Sequence, residues 1–302
     1  MPERDIKIER MDGNPIIRPY MERRMGGNIN GPSLIQTPEW LAGRLGRYHL
    51  YFAHHLGSYI RLAYADDLSG PWQIHAPGVL DLAQTPMLYE HIASPDVHVD
   101  KDRRELRMYF HGISAPDPVL EPVQSSCVAH SFDGITFAAR PELLGASYFR
   151  VWQWQNTYYA ISLGGIVWRS NDGITPFQEG SHIEGLPPKA RHFAVQQKGA
   201  RLWLAWSVTG EAPERLYLGW LDLNTPWEAW CVEGVRELLR PEHDWEFAEL
   251  PQTQSEPGLA WHPVNQLRDP AFFREDGIDY LLYSVGGESG IAIARIEGLE
   301  AT

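Results

Sequence analysis

Short aromatic and aliphatic runs bounded by polar turns recur along the chain at intervals of roughly 40 to 60 residues, a spacing typical of propeller blades. The clearest are residues 48–54, 106–111, 158–162, 202–207 and 280–284, short and rich in the aromatic residues that suit strands. Each follows a candidate first strand, at 31–35, 94–99, 148–152, 191–195 and 268–273, and polar turns such as 100–103 and 275–277 join the two. A third run follows, at 60–64, 126–130, 165–169, 216–220 and 290–294, and then a short outer segment at 68–72, 132–137, 171–177 and 224–227. The pattern predicts an all-β, five-bladed β-propeller with four-stranded antiparallel blades. The blades fall near 30–76, 93–144, 145–181, 190–238 and 258–298, within a single domain spanning 1–302.

The fifth unit stops after its third strand. Residues 5–9 read as the outer strand that would close the ring and cover an exposed edge; a loose tail is the other reading. Two segments interrupt the rhythm, 77–93 and 239–267, and both are expected to be long connections of the kind that carry function.

Composition narrows the partners. The 302 residues carry a formal charge of -13 and no basic run, which argues against nucleic acid or an anionic membrane as partner. Cys127 and Cys231 are far apart and outside any metal-binding spacing, so both are expected to be reduced and buried. No apolar leader segment or run of 18 apolar residues is present, and a cytoplasmic location is expected by default. The oligomeric state is not set by the sequence.

Positions that recur in register point at a common axis. Asp96, His192 and Asp269 each precede the end of their second strand by 15 residues and are expected to open the central channel at one height, with Asn30 and Arg150 as rough equivalents. Asp96 and Asp269 are therefore candidate acid/base carboxylates, because glycosidic cleavage needs a proton donor and a carboxylate beside the bond. At the ends of the second strands, His54 and His111 are expected to face the same pocket, with His55 turned away. Arg150, Arg191 and Arg268 at the strand starts would either grip an anion or pair with the aspartates. In the connection 239–267, Glu246 is a candidate proton donor and Trp245 a stacking platform; Glu288, on a turn after the last second strand, is a lower-ranked substitute. No cofactor is required. The channel histidines and aspartates leave room for a divalent cation, although their spacing specifies no metal.

Asn30 to Ile35, the Tyr51-Phe52 strand with residues 61–72, Ser94-Pro95-Asp96, and Arg268 to Phe273 together resemble the five-bladed propeller glycosidases, the superfamily of glycoside hydrolase families 43, 62, 32, 68, 117 and 130. The resemblance covers nearly the whole chain and implies a glycosidase acting on a short oligosaccharide in a central pocket. In many of these enzymes an Asp opens blade one as base or nucleophile, a second Asp tunes it and a Glu is the acid. Here blade one opens with Asn30-Gly31-Pro32 and blade four with Arg191-His192, so those roles do not transfer. A glycoside phosphorylase, a lyase acting on an acidic sugar, and a non-catalytic sugar-binding propeller remain as alternatives.

Overall fold

A computed structural model describes residues 5–114 and 121–301. Five antiparallel sheets follow one another along the chain. Blade 1 contains β2 (Asn30–Gln36), β3 (Tyr48–Ala53), β4 (Tyr59–Ala65) and β5 (Gln73–Asp81). Blade 2 contains β6 (Leu88–Asp100), β7 (Glu105–Ser114) and β8 (Gln124–Ser131), edged by the two-residue strands β9 (Ala138–Ala139) and β10 (Gly145–Ala146). Blade 3 is β11 (Arg150–Trp154), β12 (Thr157–Ile161), β13 (Ile166–Ser170) and β14 (Gln178–His182). Blade 4 is β15 (Ala190–Lys198), β16 (Arg201–Val208), β17 (Leu216–Asp222) and β18 (Glu233–Leu239). Blade 5 is β19 (Arg268–Glu275), β20 (Ile278–Ser284) and β21 (Ile291–Glu297), completed by β1 (Lys7–Arg10).

That last pairing closes the ring as the sequence predicts. Strand β1 runs antiparallel to β21 from Lys7 opposite Glu297 to Arg10 opposite Ala294, which covers an edge that would otherwise present unpaired amides.

The core lies between blades rather than inside them, because each sheet has two faces to bury. Five apolar clusters fill the five seams. Tyr51, Leu62, Met108 and Phe110 join blades 1 and 2; Tyr109, Phe149 and Trp168 join 2 and 3; Trp152, Ile161, Leu204 and Trp206 join 3 and 4. Trp203, Leu218, Leu281 and Tyr283 join 4 and 5, and Leu50, Phe52, Phe273 and Ile293 join 5 and 1.

Two expectations need correction. Segment 77–93 is largely strand, since β5 runs to Asp81 and β6 starts at Leu88, with only a short 3-10 turn at Leu82–Gln84 between them. Its Pro and Gly read as a loop because the irregularity in the β4–β5 pairing that absorbs them is a feature of cross-strand register. Cys231 is exposed rather than buried; Cys127 is buried, and both are free thiols.

Candidate active site

Four of the five innermost strands enter the channel through a break in register. The pairs Asn30 with Ala53, Ala93 with His111, Arg191 with Ser207 and Arg268 with Ser284 are each followed by two residues out of the ladder. The first of those two residues adopts a left-handed backbone: Gly31 (φ 60°), Ser94 (50°), His192 (54°) and Asp269 (45°). Tyr148 (68°) takes the same place ahead of β11. Such a conformation is uncommon for a residue with a Cβ, and its recurrence once per blade marks a built ring.

This ring corrects the sequence register. Asp96 is not level with His192 and Asp269; Ser94 is. The β6–β7 turn has four residues, 101–104, where the β15–β16 and β19–β20 turns have two, so an equal count back from the second strand lands two residues too deep. Asp96 and Arg150 belong to a lower ring with Ser33, Ala194 and Ala271, around a cavity of about 190 Å³. There Asp96 bridges blades, accepting from the Val151 backbone N–H and meeting His98 Nε2, each at 2.9 Å. Burial pushes its carboxyl up, but His98, Arg150 and the Val151 N–H outweigh that and leave it lowered. Arg150 spends its Nη1 on the carbonyls of Ser94 and Phe149.

Above the upper ring is a cavity of about 560 Å³. Its lining includes Asn30, His55, His91, His111, Tyr148, Arg191 and His192. Tyr148 lies between two imidazoles, with ring centroids 4.4 Å from His111 and 5.2 Å from His192. Burial, with His91 beside His111 and Arg191 beside His192, holds both imidazoles well below the usual histidine range and therefore neutral.

Asp269 sits beneath this stack, 1% exposed. Tyr148 donates its O–H to Asp269 Oδ1 at 3.4 Å, and His192 Nε2 lies 3.8 Å from the same oxygen. Burial and then the charge of Glu288 push its carboxyl up to about 6, against the pull of Arg268 and Arg191. Among the described residues its Oδ2 has no hydrogen-bond partner; nor do Asn30 Oδ1, His91 Nδ1 or His111 Nδ1.

The orientation of His192 follows from a residue that the sequence reading missed. Glu214 is fully buried and held by Arg191 through two bonds, of 2.9 and 2.6 Å, with Arg268 Nε 3.3 Å from its Oε2. As a carboxylate it can only accept, so the Ser207 hydroxyl donates to it at 2.7 Å. The 3.3 Å contact between Ser207 Oγ and His192 Nδ1 then has the imidazole as donor. Nε2 is left with its lone pair toward Asp269. Glu214 stands on the turn between second and third strands, the same place in blade 4 that Glu288 holds in blade 5, and that shared position was its sequence signal.

The remaining candidates divide. Arg268 is committed to Gln266, the Gly258 carbonyl, Glu214 and Glu288. Glu288 meets His55 Nδ1 at 2.9 Å and accepts from Asn28 at 2.5 Å; burial pushes it up, but His55, Asn28 and Arg268 bring it below the usual range. His55 therefore faces the cavity and His54 does not: β3 ends at Ala53, and His54 turns toward a neighbouring depression. Glu246 is remote from the cavity lining. Arg10 Nε and Nη2, the Tyr283 hydroxyl and the backbone N–H groups of Glu242 and His243 occupy its carboxylate, so it ties strand β1 to the connection after β18. Trp245 stacks on His243 and packs against the seam between blades 4 and 5. That connection does reach the cavity, through residues 254–258 instead. Among the described residues no group of three or more His, Cys, Asp or Glu side chains is arranged to hold a metal ion, and no helix is long and apolar enough to cross a membrane.

Comparison with known proteins adds a family and a fold. No family model matches the chain. The uncharacterized protein R118 of Acanthamoeba polyphaga mimivirus is 35% identical over 97% of this chain and 91% of its own length. The chain belongs to the R118 family. Among solved structures, a glycoside hydrolase described as putative from Parabacteroides distasonis matches 98% of the chain and 97% of its own at a TM-score of 0.67 and 12% identity. A family 43 enzyme of Xanthomonas citri, solved also with xylotriose, matches 93% and 90% at 0.61 and 15%. The β-fructofuranosidase of family 32 from Bombyx mori matches 88% of the chain and 58% of its own at 0.53 and 16%. This R118-family chain thus has the five-bladed propeller fold of the family 43 and family 32 glycoside hydrolases. At the opening of its own blade one the chain carries Gly31, whose missing Cβ would sit 3.0 Å from Ser94 Cα.

Proposed function

We propose that the protein is a glycoside-cleaving enzyme that binds a short glycoside in the central cavity and uses Asp269 as proton donor. The observation that carries this reading is the Asp269 carboxyl: buried directly behind Tyr148 and His192 of the cavity lining, raised to about 6, and with one buried oxygen uncommitted. A carboxyl in that state can protonate a leaving-group oxygen near neutral pH. Neutral His111 and His192 supply acceptors for sugar hydroxyls and for the attacking water. The unmatched polar atoms of Asn30, His91 and His111 suit a ligand bearing several hydroxyls, which would satisfy them. Solved propellers of this fold include one bound to xylotriose, which supports a sugar as ligand.

Phosphorolysis draws little support, because the arginines expected to grip phosphate are committed to protein acceptors. Elimination from an acidic sugar has one observation in its favour: a Tyr148 ring flanked by two imidazoles, with its hydroxyl directed at Asp269.

Turnover of a panel of aryl glycosides and glycosyl uronates, with wild type and Asp269→Asn, tests the proposal. Release of aglycone by the wild type, reduced about 10²- to 10⁴-fold in the variant, is expected. An unsaturated product, detected by its ultraviolet absorbance, would replace hydrolysis with elimination. Equal rates in the two proteins would remove Asp269 from the chemistry.

A further inference from the structure

A second depression, of about 400 Å³, opens beside the central cavity. Glu288 is the wall between them. Its Oε1 meets His55, which lines the central cavity, while its Oε2 takes the Asn28 side chain and the Ala260 backbone N–H, which line the second depression.

Two aromatic side chains bound this depression without being part of any core. Trp261 is 78% exposed and Tyr20 74%. Neither makes a ring contact or a cation-π contact with another described residue. Tyr20 is nonetheless held in place: its backbone is left-handed (φ 60°), its N–H donates to the Gly26 carbonyl at 2.9 Å, and its ring lies against bare Gly27, where a Cβ would come within 3.1 Å of the hydroxyl. Ala260, next to Trp261, is anchored on Glu288. Two large apolar rings exposed in one hollow are costly to keep in water unless something covers them. Between them the surface is polar, with Asn28, His54 and His262.

We infer that this depression is a second glycan subsite, which binds a neutral sugar ring further along the chain held in the central cavity. A sugar ring has C–H faces that pack on an aromatic platform and an edge of hydroxyls that needs donors and acceptors, and the hollow offers both kinds of surface. Its volume of about 400 Å³ falls within the range of small-ligand pockets. Its shared wall with the central cavity argues for one continuous ligand. The inference rests on the carbohydrate reading of the central cavity, but its test is separate.

The full chain, Trp261→Ala, Tyr20→Ala and Asp269→Asn are applied to an array of neutral oligosaccharides that includes xylotriose, with thermal melting as a folding control. Wild type is expected to bind at least one member of two or more rings. Either aromatic variant should weaken that binding about threefold to tenfold with its melting unchanged, and binding should survive in Asp269→Asn. If wild type shows such Trp261-dependent binding yet cleaves nothing, the catalytic reading fails and the subsite stands. Binding unaffected by both aromatic substitutions, no binding to any member, or a Trp261-dependent change in sedimentation mass that marks self-association would overturn the subsite.

Discussion

His192 Nε2 faces Asp269 Oδ1 at 3.8 Å across the seam between blades 4 and 5, and the two residues occupy equivalent left-handed positions in their blades. The relationship joins a depressed imidazole to a raised carboxyl. Both shifts favour the neutral form in a buried place, and below about pH 6 the carboxyl can donate while the imidazole can accept.

The raised carboxyl has a consequence for stability. Asp269 titrates near 6 in the folded chain against 3.8 as its ordinary value, so the folded state binds the extra proton between those pH values. Stability therefore falls as pH rises from about 4 to about 6 and stays lowered above, by about 3 kcal/mol. Asp269→Asn removes that cost. It is expected to melt higher than wild type at pH 7 to 8 and to lose the advantage at pH 4; thermal melts across that range measure it.

Turnover that uses protonated Asp269 should fall as pH rises through about 6. A pH profile of kcat for wild type on a responsive aryl glycoside checks this. A rate that rises through the same window would make Asp269 a base.

Ser207 holds His192 without itself lining the cavity. Ser207→Ala frees the imidazole from the hydrogen bond that leaves Nε2 as acceptor. The expected result is a drop in kcat of about tenfold with KM little changed, the equivalent of one lost hydrogen bond. A proportional rise in KM would show that Ser207 only shapes the pocket.

Glu214 neutralises two buried guanidinium groups, those of Arg191 and Arg268. Glu214→Ala leaves Arg191 without its carboxylate partner and Arg268 with Glu288 alone, and is expected to cost about 3 to 5 kcal/mol of folding stability, read by denaturant unfolding. Loss of activity without loss of stability would point to direct contact with substrate.

Glu246→Gln separates ring closure from chemistry. The substitution weakens the clamp of Arg10 and Tyr283 on strand β1, so a lower melting temperature with turnover retained is expected. A large loss of turnover at unchanged stability would restore Glu246 to the proton-donor role that the sequence suggested.

The strands and their order were legible in the chain, because a strand and its tight turn depend on neighbours a few residues away. So was the closure by residues 5–9, because a three-stranded last repeat leaves an edge to cover. Heights in the channel were harder to read. Two additional turn residues between β6 and β7 dropped Asp96 to the lower ring, and the end of β3 at Ala53 exchanged the expected roles of His54 and His55.

Sequence by itself determined a ring of five blades and the equivalent positions of His192 and Asp269 in theirs. Only the tertiary structure decided which carboxyl is free. Asp96, Glu214, Glu246 and Glu288 all have partners brought together by the ring, and of these five Asp269 alone keeps a fully buried oxygen without one among the described residues. Those partnerships join residues as far as 236 positions apart. Burial, charge and hydrogen bonding at a side chain are properties of the packed ring, and they determine what an Asp or a His can do chemically.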